Sequence, residues 1–304
     1  MPVRPAVING VCPVLETPFH PDGSVDHEGF ERLIDHVLAA GVRSVMFPGF
    51  ASEFYKLTDE ERTALTRLLL DKTRNIEGFT AIISVPDHAT DRALERARQA
   101  VDGGAGAINI LPPYFLSPSS SQVREHLLTV LTAVAPIPVV LQYAPGQTGS
   151  SLDAHAIVAL ADAAENLVQI KVESTQPGRW ITELAAMQSP LTSVLGSAGV
   201  QLPDAWRRGA VGVQPGSSFV ELYLAEWQLW RDGQAQQAEA LHTRMLPYLS
   251  YWMQAVELII AAEKEISVRR GIFRSAFCRG PAYTLDSFEL AMVDQFMAEF
   301  SDFF

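Results

Sequence analysis

One lysine stands where a charged side chain is costly. The run Leu167-Val-Gln-Ile-Lys-Val172 has the apolar pattern of a buried strand, and Lys171 lies near its carboxyl end. Burial disfavours an ammonium group, and the neutral amine is a nucleophile that can form a Schiff base with a carbonyl. A lysine at a strand end can instead extend its ammonium group to solvent. Lys171 is therefore either a Schiff-base nucleophile or a side chain that reaches water.

A tyrosine ends the preceding apolar run, Val139–Tyr143. A phenol beside an amine can carry protons between that amine and a substrate. The alternative is a tyrosine at the end of a strand that is held by a single hydrogen bond. The sequence leaves both roles open for Tyr143.

A possible anion-binding loop follows the second apolar run, as Pro48-Gly-Phe-Ala-Ser-Glu53. Gly49 permits a tight turn, in which successive backbone N–H groups can hold a carboxylate, and Ser52 adds a hydroxyl. The alternative is an ordinary loop in which the serine caps the next helix.

Two more polar segments come late in the chain. Gly196 and Ser197 follow the seventh apolar run, and Gln214 ends the eighth. Ser197 and Gln214 either orient substrate hydroxyls or cap loops.

The segments Gly196-Ser-Ala-Gly199 and Pro215-Gly-Ser-Ser218 also match the usual position of a phosphate site in barrel enzymes. A phosphate-binding barrel enzyme is therefore an alternative function from another class.

Eight short apolar runs alternate with helix-length amphipathic segments. Such near-continuous apolar runs are typical of parallel strands that are buried on both faces. They are Val11–Leu15, Ser44–Phe47, Thr80–Val85, Ala107–Leu111, Val139–Tyr143, Leu167–Val172, Thr192–Gly196 and Ala210–Gln214. Eight βα repeats predict an α/β fold, a (β/α)8 TIM barrel with its chemistry at the carboxyl ends of the strands. A doubly wound sheet is the alternative.

No strand pattern returns after about residue 231, and 234–267 and 285–300 have helical patterns. We therefore expect the barrel to span residues 1–232, with a C-terminal helical extension over 233–304 packed on it.

Composition excludes several classes of protein. With 23 basic and 35 acidic residues, the chain carries a formal charge of −12, which disfavours nucleic acid as a partner. No apolar run is long enough for a membrane span, and the start lacks a signal-peptide pattern. The lack of these two patterns predicts a cytoplasmic protein. Two cysteines, Cys12 and Cys278, cannot build a disulfide framework. The seven histidines are scattered, so we expect no metal site.

Together these segments resemble the dihydrodipicolinate synthase / N-acetylneuraminate lyase family. Its patterns are a Gly-Thr-Thr-Gly-Glu or Gly-Ser-Thr-Gly-Glu loop, a Tyr-Asn-x-Pro segment and an Ile-Lys-Glu strand. The counterparts here are Gly49-Phe-Ala-Ser-Glu53, Tyr143-Ala-Pro145 and Ile170-Lys-Val-Glu173. The segments Gly10–Phe19 and Pro112-Pro-Tyr114 also match, so the resemblance covers nearly the whole chain in order.

The resemblance implies roles for these residues. Lys171 would form the Schiff base, Tyr143 would shuttle protons, and the backbone around Ala51 and Ser52 would hold a 2-oxo carboxylate. Such enzymes need no cofactor and are usually homotetramers, built as dimers of dimers. An aromatic residue of the neighbouring subunit completes the proton relay, and that position falls at Tyr114 or Phe115.

Departures from the family pattern narrow the expected substrate. Phe50 and Ala51 replace the two loop hydroxyls, and Gln147 stands where the synthase has an arginine that grips its second substrate. The Ser-Glu loop, the Ala-Pro segment and Lys-Val-Glu resemble instead the 2-keto-3-deoxy sugar-acid dehydratases, notably the L-2-keto-3-deoxyarabonate branch.

The sequence therefore predicts a Schiff-base lyase that acts on a 2-oxo acid, as a dehydratase or aldolase of a 2-keto-3-deoxy sugar acid. Two further alternatives remain. One is condensation of pyruvate with an aldehyde, as in dihydrodipicolinate synthase, and the other is a non-catalytic homologue that binds a ligand.

Overall fold

The computed structural model describes residues 3–149 and 152–304. Within them, eight strands belong to one sheet: β1 (Gly10–Val11), β2 (Ser44–Phe47), β3 (Thr80–Val85), β4 (Ala107–Ile110), β5 (Val139–Tyr143), β6 (Leu167–Val172), β7 (Thr192–Leu195) and β8 (Gly212–Val213). Their order in the sheet is β1-β8-β7-β6-β5-β4-β3-β2. Neighbours from β3 to β8, and β8 with β1, pair in parallel.

Helices occur between the strands and after the last one. They are α1 (His27–Ala39), α2 (Asp59–Thr73), α3 (Thr90–Asp102), α4 (Ser120–Val134), α5 (Pro145–Thr148), α6 (Ala154–Ala163), α7 (Pro177–Ala186), α8 (Leu202–Arg207), α9 (Val220–Arg231), α10 (Ala235–Trp252), α11 (Val256–Arg269) and α12 (Ser287–Glu299). The alternation is that of a (β/α)8 TIM barrel, and the predicted fold class is confirmed. None of the helices in the described residues is both long and apolar enough to cross a bilayer.

Local sequence signals account for where several elements begin. The carboxylate of Asp26 accepts the N–H of Gly29 at the start of α1. Thr58 and Glu61 form the reciprocal hydrogen bonds of a capping box before α2, as the sequence predicts. The first and last strands are shorter than predicted, and each is followed two residues later by a proline, Pro13 or Pro215, which has no N–H for the ladder.

The predicted helical stretch 234–267 is two helices. The chain turns between α10 and α11, where Ala255 has extended backbone angles, φ −145° and ψ 145°. Neither glycine nor proline marks this turn, so a helical pattern cannot locate it.

Two compact units make up the chain. The first comprises Met1–Cys12 and Thr73–Gln214, with β1 and β3 to β8. The second comprises Pro13–Lys72 and Pro215–Phe304, with β2 and the helices α9 to α12. The predicted boundary at residue 232 stays a prediction.

In the first unit, a buried glutamine ties the start of the chain to the sheet. The side-chain amide of Gln169, in β6, donates to the carbonyl of Ile8 and accepts its N–H, both at 2.9 Å. Both residues are completely buried, so neither peptide group of Ile8 has access to water. The side chain of Gln169 thus supplies the two hydrogen bonds that a neighbouring strand would otherwise make to Ile8.

We predict that Gln169→Leu destabilises the protein by about 2–4 kcal/mol, because two buried backbone groups lose their partners at once. The shift of the urea unfolding midpoint measures it. Gln99→Leu is the control, since Gln99 is exposed and bonds only Glu95 on the surface of α3. Equal midpoints for the two variants would contradict the assigned role of Gln169.

Candidate active site

The predicted nucleophile lies in the middle of the sheet of the first unit. Lys171 pairs with Gln142 of β5 on one side and with Val194 of β7 on the other. Residues paired in parallel strands project to the same face, and alternate residues along a strand share that face. Lys171 is 4% exposed, so its amine needs a partner within the protein.

That partner is Glu173, two residues further along the chain. The Nζ atom of Lys171 lies 3.0 Å from Oε1 of Glu173. The same oxygen accepts the backbone N–H of Ser197 at 3.2 Å, and Oε2 accepts the side-chain amide of Gln142 at 2.7 Å. The carboxylate therefore has three donors, one of them charged.

The hydrogen bonds continue from Gln142 across two more strands. The amide nitrogen of Asn109, in β4, donates to Oε1 of Gln142 at 3.0 Å and to Oγ of Ser84, in β3, at 2.8 Å. Gln142, Asn109 and Ser84 are at most 2% exposed. A single buried network therefore links four strands to the amine.

Gly196 makes room for the carboxylate. A Cβ atom on Gly196 would lie 2.2 Å from Cγ of Glu173, which no side chain could tolerate. The next two residues, Ser197 and Ala198, both have left-handed backbone angles. This turn directs the N–H of Ser197 at Glu173. The predicted site residues Gly196 and Ser197 thus contact the carboxylate that pairs with Lys171.

The structure does not bring Tyr143 to the amine. Tyr143 pairs with Val172, so its side chain projects from the face opposite to Lys171. Its ring packs against Trp180 of α7, with the centroids 4.2 Å apart. Burial, with the charges of Glu183 and Asp153, raises the pKa of Tyr143 to about 12. Its predicted role as proton shuttle stays a prediction, to which this geometry adds nothing.

The sequence did contain a signal for Gln142. In the family pattern Tyr-Asn-x-Pro the tyrosine stands three residues before the proline. Counting back three residues from Pro145 reaches Gln142, whereas Tyr143 is only two residues away. Gln142 is thus the counterpart of the family tyrosine, and it faces Lys171 in the sheet. In the sequence, Glu173 is marked only as the last residue of the motif Ile170-Lys-Val-Glu173. Asn109 and Ser84 have no local signal.

The aromatic pair predicted to meet a neighbouring subunit follows β4. Phe115 is 70% exposed, while Tyr114 is half-buried against the ring of His88 at 4.5 Å. Nδ1 of His88 accepts the backbone N–H groups of both residues, at 3.3 and 3.4 Å. Burial raises the pKa of Tyr114 and lowers that of His88. His88 thus holds the segment through its backbone N–H groups, and the side chain of Phe115 stays exposed.

The predicted anion-binding loop belongs to the second unit. Oγ of Ser52 accepts the N–H of Gly49 at 2.9 Å and donates to the carbonyl of Leu15. The hydroxyl therefore shapes the loop. The N–H of Ser52 donates to the carbonyl of Gly49. Ala51 lies in the first turn of the short 3-10 helix Phe50–Ser52, and the N–H groups of a first turn have no partner within their own helix.

A second buried lysine lies behind this loop. Lys264 of α11 is completely buried and donates to Oε1 of Glu53, which is also completely buried. Lys56 lies 3.0 Å from the other oxygen of the same carboxylate. Lys264 was missed in the sequence because helical segments with a lysine usually expose it. Its ion pair holds Glu53, whose φ of 52° is left-handed.

The segments that match a phosphate site donate their hydrogen bonds to carboxylates of the protein instead. In the second unit, Ser217 donates its N–H to Glu16 at 2.9 Å and its hydroxyl to the same carboxylate. Ser218 donates to Glu263 at 3.1 Å. Burial and the charge of Glu16 raise the pKa of Glu263 well above its usual range. These partners occupy donors that a phosphate would need, and the geometry does not favour the phosphate alternative.

Gln214 is 2% exposed in the first unit, and its amide nitrogen lies 3.4 Å from Sγ of Cys12. Its predicted contact with substrate stays a prediction.

Known proteins resemble this chain over most of its length. A 4-hydroxy-tetrahydrodipicolinate synthase from Sorangium cellulosum is 34% identical over 165 residues, which are 54% of this chain and 54% of that protein. An L-2-keto-3-deoxyarabonate dehydratase from Azospirillum brasilense is 27% identical over 252 residues, or 80% of this chain and 79% of that protein.

Solved structures give the same result. A dihydrodipicolinate synthase from Rhodopseudomonas palustris superposes with a TM-score of 0.88 at 25% identity, over 96% of this chain and 97% of that one. YagE, a prophage protein of the dihydrodipicolinic acid synthase family from E. coli K12 in complex with pyruvate, gives 0.87 at 25% identity, over 97% and 99%.

The model of the dihydrodipicolinate synthetase family matches residues 7–299. The chain therefore belongs to the dihydrodipicolinate synthetase family and is a lyase of the aldolase type.

Proposed function

We propose that the protein is a Schiff-base dehydratase of a 2-keto-3-deoxy sugar acid. The observation that carries this proposal is the buried pair of Lys171 and Glu173, an amine and a carboxylate 3.0 Å apart on one face of the sheet. An amine supplies the nucleophile, and a carboxylate beside it supplies the acid and base that the following steps need.

In the first step Nζ of Lys171, as the free amine, attacks C2 of the 2-oxo acid. Glu173 holds the proton that Lys171 gave up to become the free amine, and returns it to the C2 oxygen. That oxygen leaves as water, and an iminium ion remains beside the ionised carboxylate. The iminium nitrogen then attracts the electrons of the C3–H bond. Glu173 takes the C3 proton, the bonding pair becomes the C2=C3 double bond of an enamine, and the nitrogen becomes neutral.

In the second step the enamine expels the hydroxyl group on C4. Glu173, protonated in the previous step, returns its proton to that hydroxyl, which leaves as water. The double bond moves to C3=C4 and the iminium re-forms. Water then attacks C2 and releases the unsaturated 2-oxo acid and Lys171. One carboxylate thus serves as base and then as acid.

Two observations favour dehydration over aldol cleavage. Dehydration removes a C3 proton, which aldol cleavage leaves in place, and Glu173 hydrogen-bonds the amine and so lies close to C3 of a bound iminium. In addition, Gln142 takes the position of the family tyrosine, so an amide that cannot titrate faces the amine. The A. brasilense relative, named a dehydratase, supports the same class.

We also propose that the enzyme is a homotetramer in which the segment after β4 meets a second copy. Phe115 and Leu116 are 70% and 86% exposed, and large apolar side chains exposed side by side are typical of an interface. The choice between Tyr114 and Phe115 as a contribution to the neighbouring site stays open.

We predict that pyruvate and borohydride together add a reduced adduct to Lys171, because only a covalent iminium can be trapped. Intact mass and peptide mapping locate it. The chain contains a second buried amine, Lys264, which serves as an internal control because its pairing with Glu53 leaves no access for a carbonyl. An adduct on Lys264, or none with any 2-oxo acid, would refute the Schiff-base mechanism.

We predict that substitutions of Glu173 and Gln142 lower the rate, whereas substitution of Tyr143, the neighbour of Gln142 in β5, has little effect. Glu173→Gln should lower kcat about a hundredfold, the usual effect of losing a general base, and Gln142→Leu about tenfold through loss of a hydrogen bond to a charged group. Tyr143→Phe should change kcat by less than about threefold. Steady-state kinetics on a 2-keto-3-deoxy sugar acid measure all three.

The pH profile provides a second readout for this pair. Because the pKa of Tyr143 is about 12, its phenol stays protonated between about pH 6 and 9. Tyr143→Phe should therefore leave the profile unchanged over that range. A large loss in Tyr143→Phe with little change in Gln142→Leu would restore Tyr143 as the shuttle.

We predict that the protein is a poor dihydrodipicolinate synthase. Gln147 replaces an arginine, and loss of a charge-assisted hydrogen bond of roughly 1.5–3 kcal/mol corresponds to about one to two orders of magnitude in rate. Kinetics with pyruvate and aspartate semialdehyde, beside an authentic synthase, measure it. Equal rates would show that another residue binds the second carboxylate, and the sugar-acid assignment would then be wrong.

A further inference from the structure

The direction of the buried network depends on charge. Glu173 accepts hydrogen bonds from Lys171 and Ser197 at Oε1, and an ionised carboxylate can only accept. Gln142 must therefore turn its NH2 group towards Oε2 of Glu173. Its carbonyl oxygen then points away, towards Asn109, and needs a donor.

Asn109 supplies that donor. Its NH2 group reaches the carbonyl oxygen of Gln142 at 3.0 Å, with Oγ of Ser84 as its other acceptor at 2.8 Å. If the amide of Asn109 were reversed, two buried carbonyl oxygens would face each other. Asn109 thus determines which end of the Gln142 amide meets the carboxylate.

The side-chain oxygen of Asn109 shows that only the NH2 group of this residue takes part in the network. Asn109 is completely buried, and among residues 3–149 and 152–304 its Oδ1 atom has no hydrogen-bond partner. An unpaired buried carbonyl destabilises a fold, and an apolar side chain would avoid that cost. The residue's contribution therefore lies in its NH2 group alone.

We propose that Asn109 is a positioning residue for proton transfer at C3: by orienting Gln142, it holds Glu173 where it can take the proton. Asn109 itself does not reach the reacting atoms, because it pairs with Val140, two residues before Gln142 along β5. This inference rests on the proposed function, since it assigns Glu173 the role of base.

Pyruvate separates the two chemical steps that must be compared. It forms the iminium with Lys171 and exchanges its C3 protons through the enamine, but it has no C4 hydroxyl to lose. Borohydride trapping reports the iminium, and deuterium exchange of the pyruvate methyl group, followed by NMR in D2O, reports proton transfer. The two readouts use the same enzyme and the same ligand.

The chain offers a matched control in Asn166. It is also buried, and its NH2 group also donates twice, to the carbonyls of Leu131 at 2.9 Å and Ile137 at 3.1 Å. None of these partners belongs to the network of Glu173. Asn166→Ala therefore imposes a similar loss of buried hydrogen bonds without disturbing Gln142.

We expect Asn109→Ala to slow methyl exchange about tenfold, because without Asn109 the Gln142 amide can turn and the Glu173 carboxylate loses one hydrogen bond. The pyruvate concentration that gives half-maximal trapping at Lys171 should stay within about threefold of wild type. Asn166→Ala should keep both values. Asn109→Leu, which fills the same space, gives the same test if the alanine variant fails to fold.

Three results would overturn the inference: exchange in the Asn109 variants within threefold of wild type, an equal loss in Asn166→Ala, or trapping that weakens as much as exchange. In each case wild-type trapping at Lys171 would leave the proposed function intact. Absence of any adduct in the wild type would overturn both.

Discussion

The ion pair between Lys171 and Glu173 is the interaction on which the rest of this site depends. An amine with 4% exposure has lost most of its hydration, and only a carboxylate with its own donors can compensate. The carboxylate in turn takes hydrogen bonds from Gln142 and Ser197. Each buried polar group thus requires the next, which is why the network spans four strands.

Parallel strand register makes such a network possible. Lys171 and Gln142 pair directly between β6 and β5, and Asn109 and Ser84 pair directly between β4 and β3. The second pair lies two residues further from the carboxyl ends of the strands. Because paired residues share a face, four side chains from four strands meet without any loop between them. Gly196 completes the arrangement, since only a residue without a side chain lets Glu173 lie against the end of β7.

The two buried lysines show how differently one residue type can be used. Lys264 is enclosed completely, with Glu53, the carbonyl of Phe277 and the ring of Phe19 around its amine. That environment fixes the amine in place and holds Glu53 at the end of the loop 49–53. Lys171 has instead one carboxylate, at the end of a barrel strand where barrel enzymes place their reacting groups.

The fold class, most strand positions and the buried strand that carries Lys171 can be predicted from the sequence, because periodicity and the cost of burying a charge are properties of short segments. The spacing to Pro145 points to Gln142, but which of the adjacent residues Gln142 and Tyr143 faces the amine is decided by strand pairing, because neighbours in a strand occupy opposite faces. The buried contacts of Asn109, Ser84 and Lys264 could not be predicted from the sequence either. Their side-chain hydrogen-bond partners lie 25 to 211 residues away in the chain, and only packing of the whole fold brings such groups within hydrogen-bond distance.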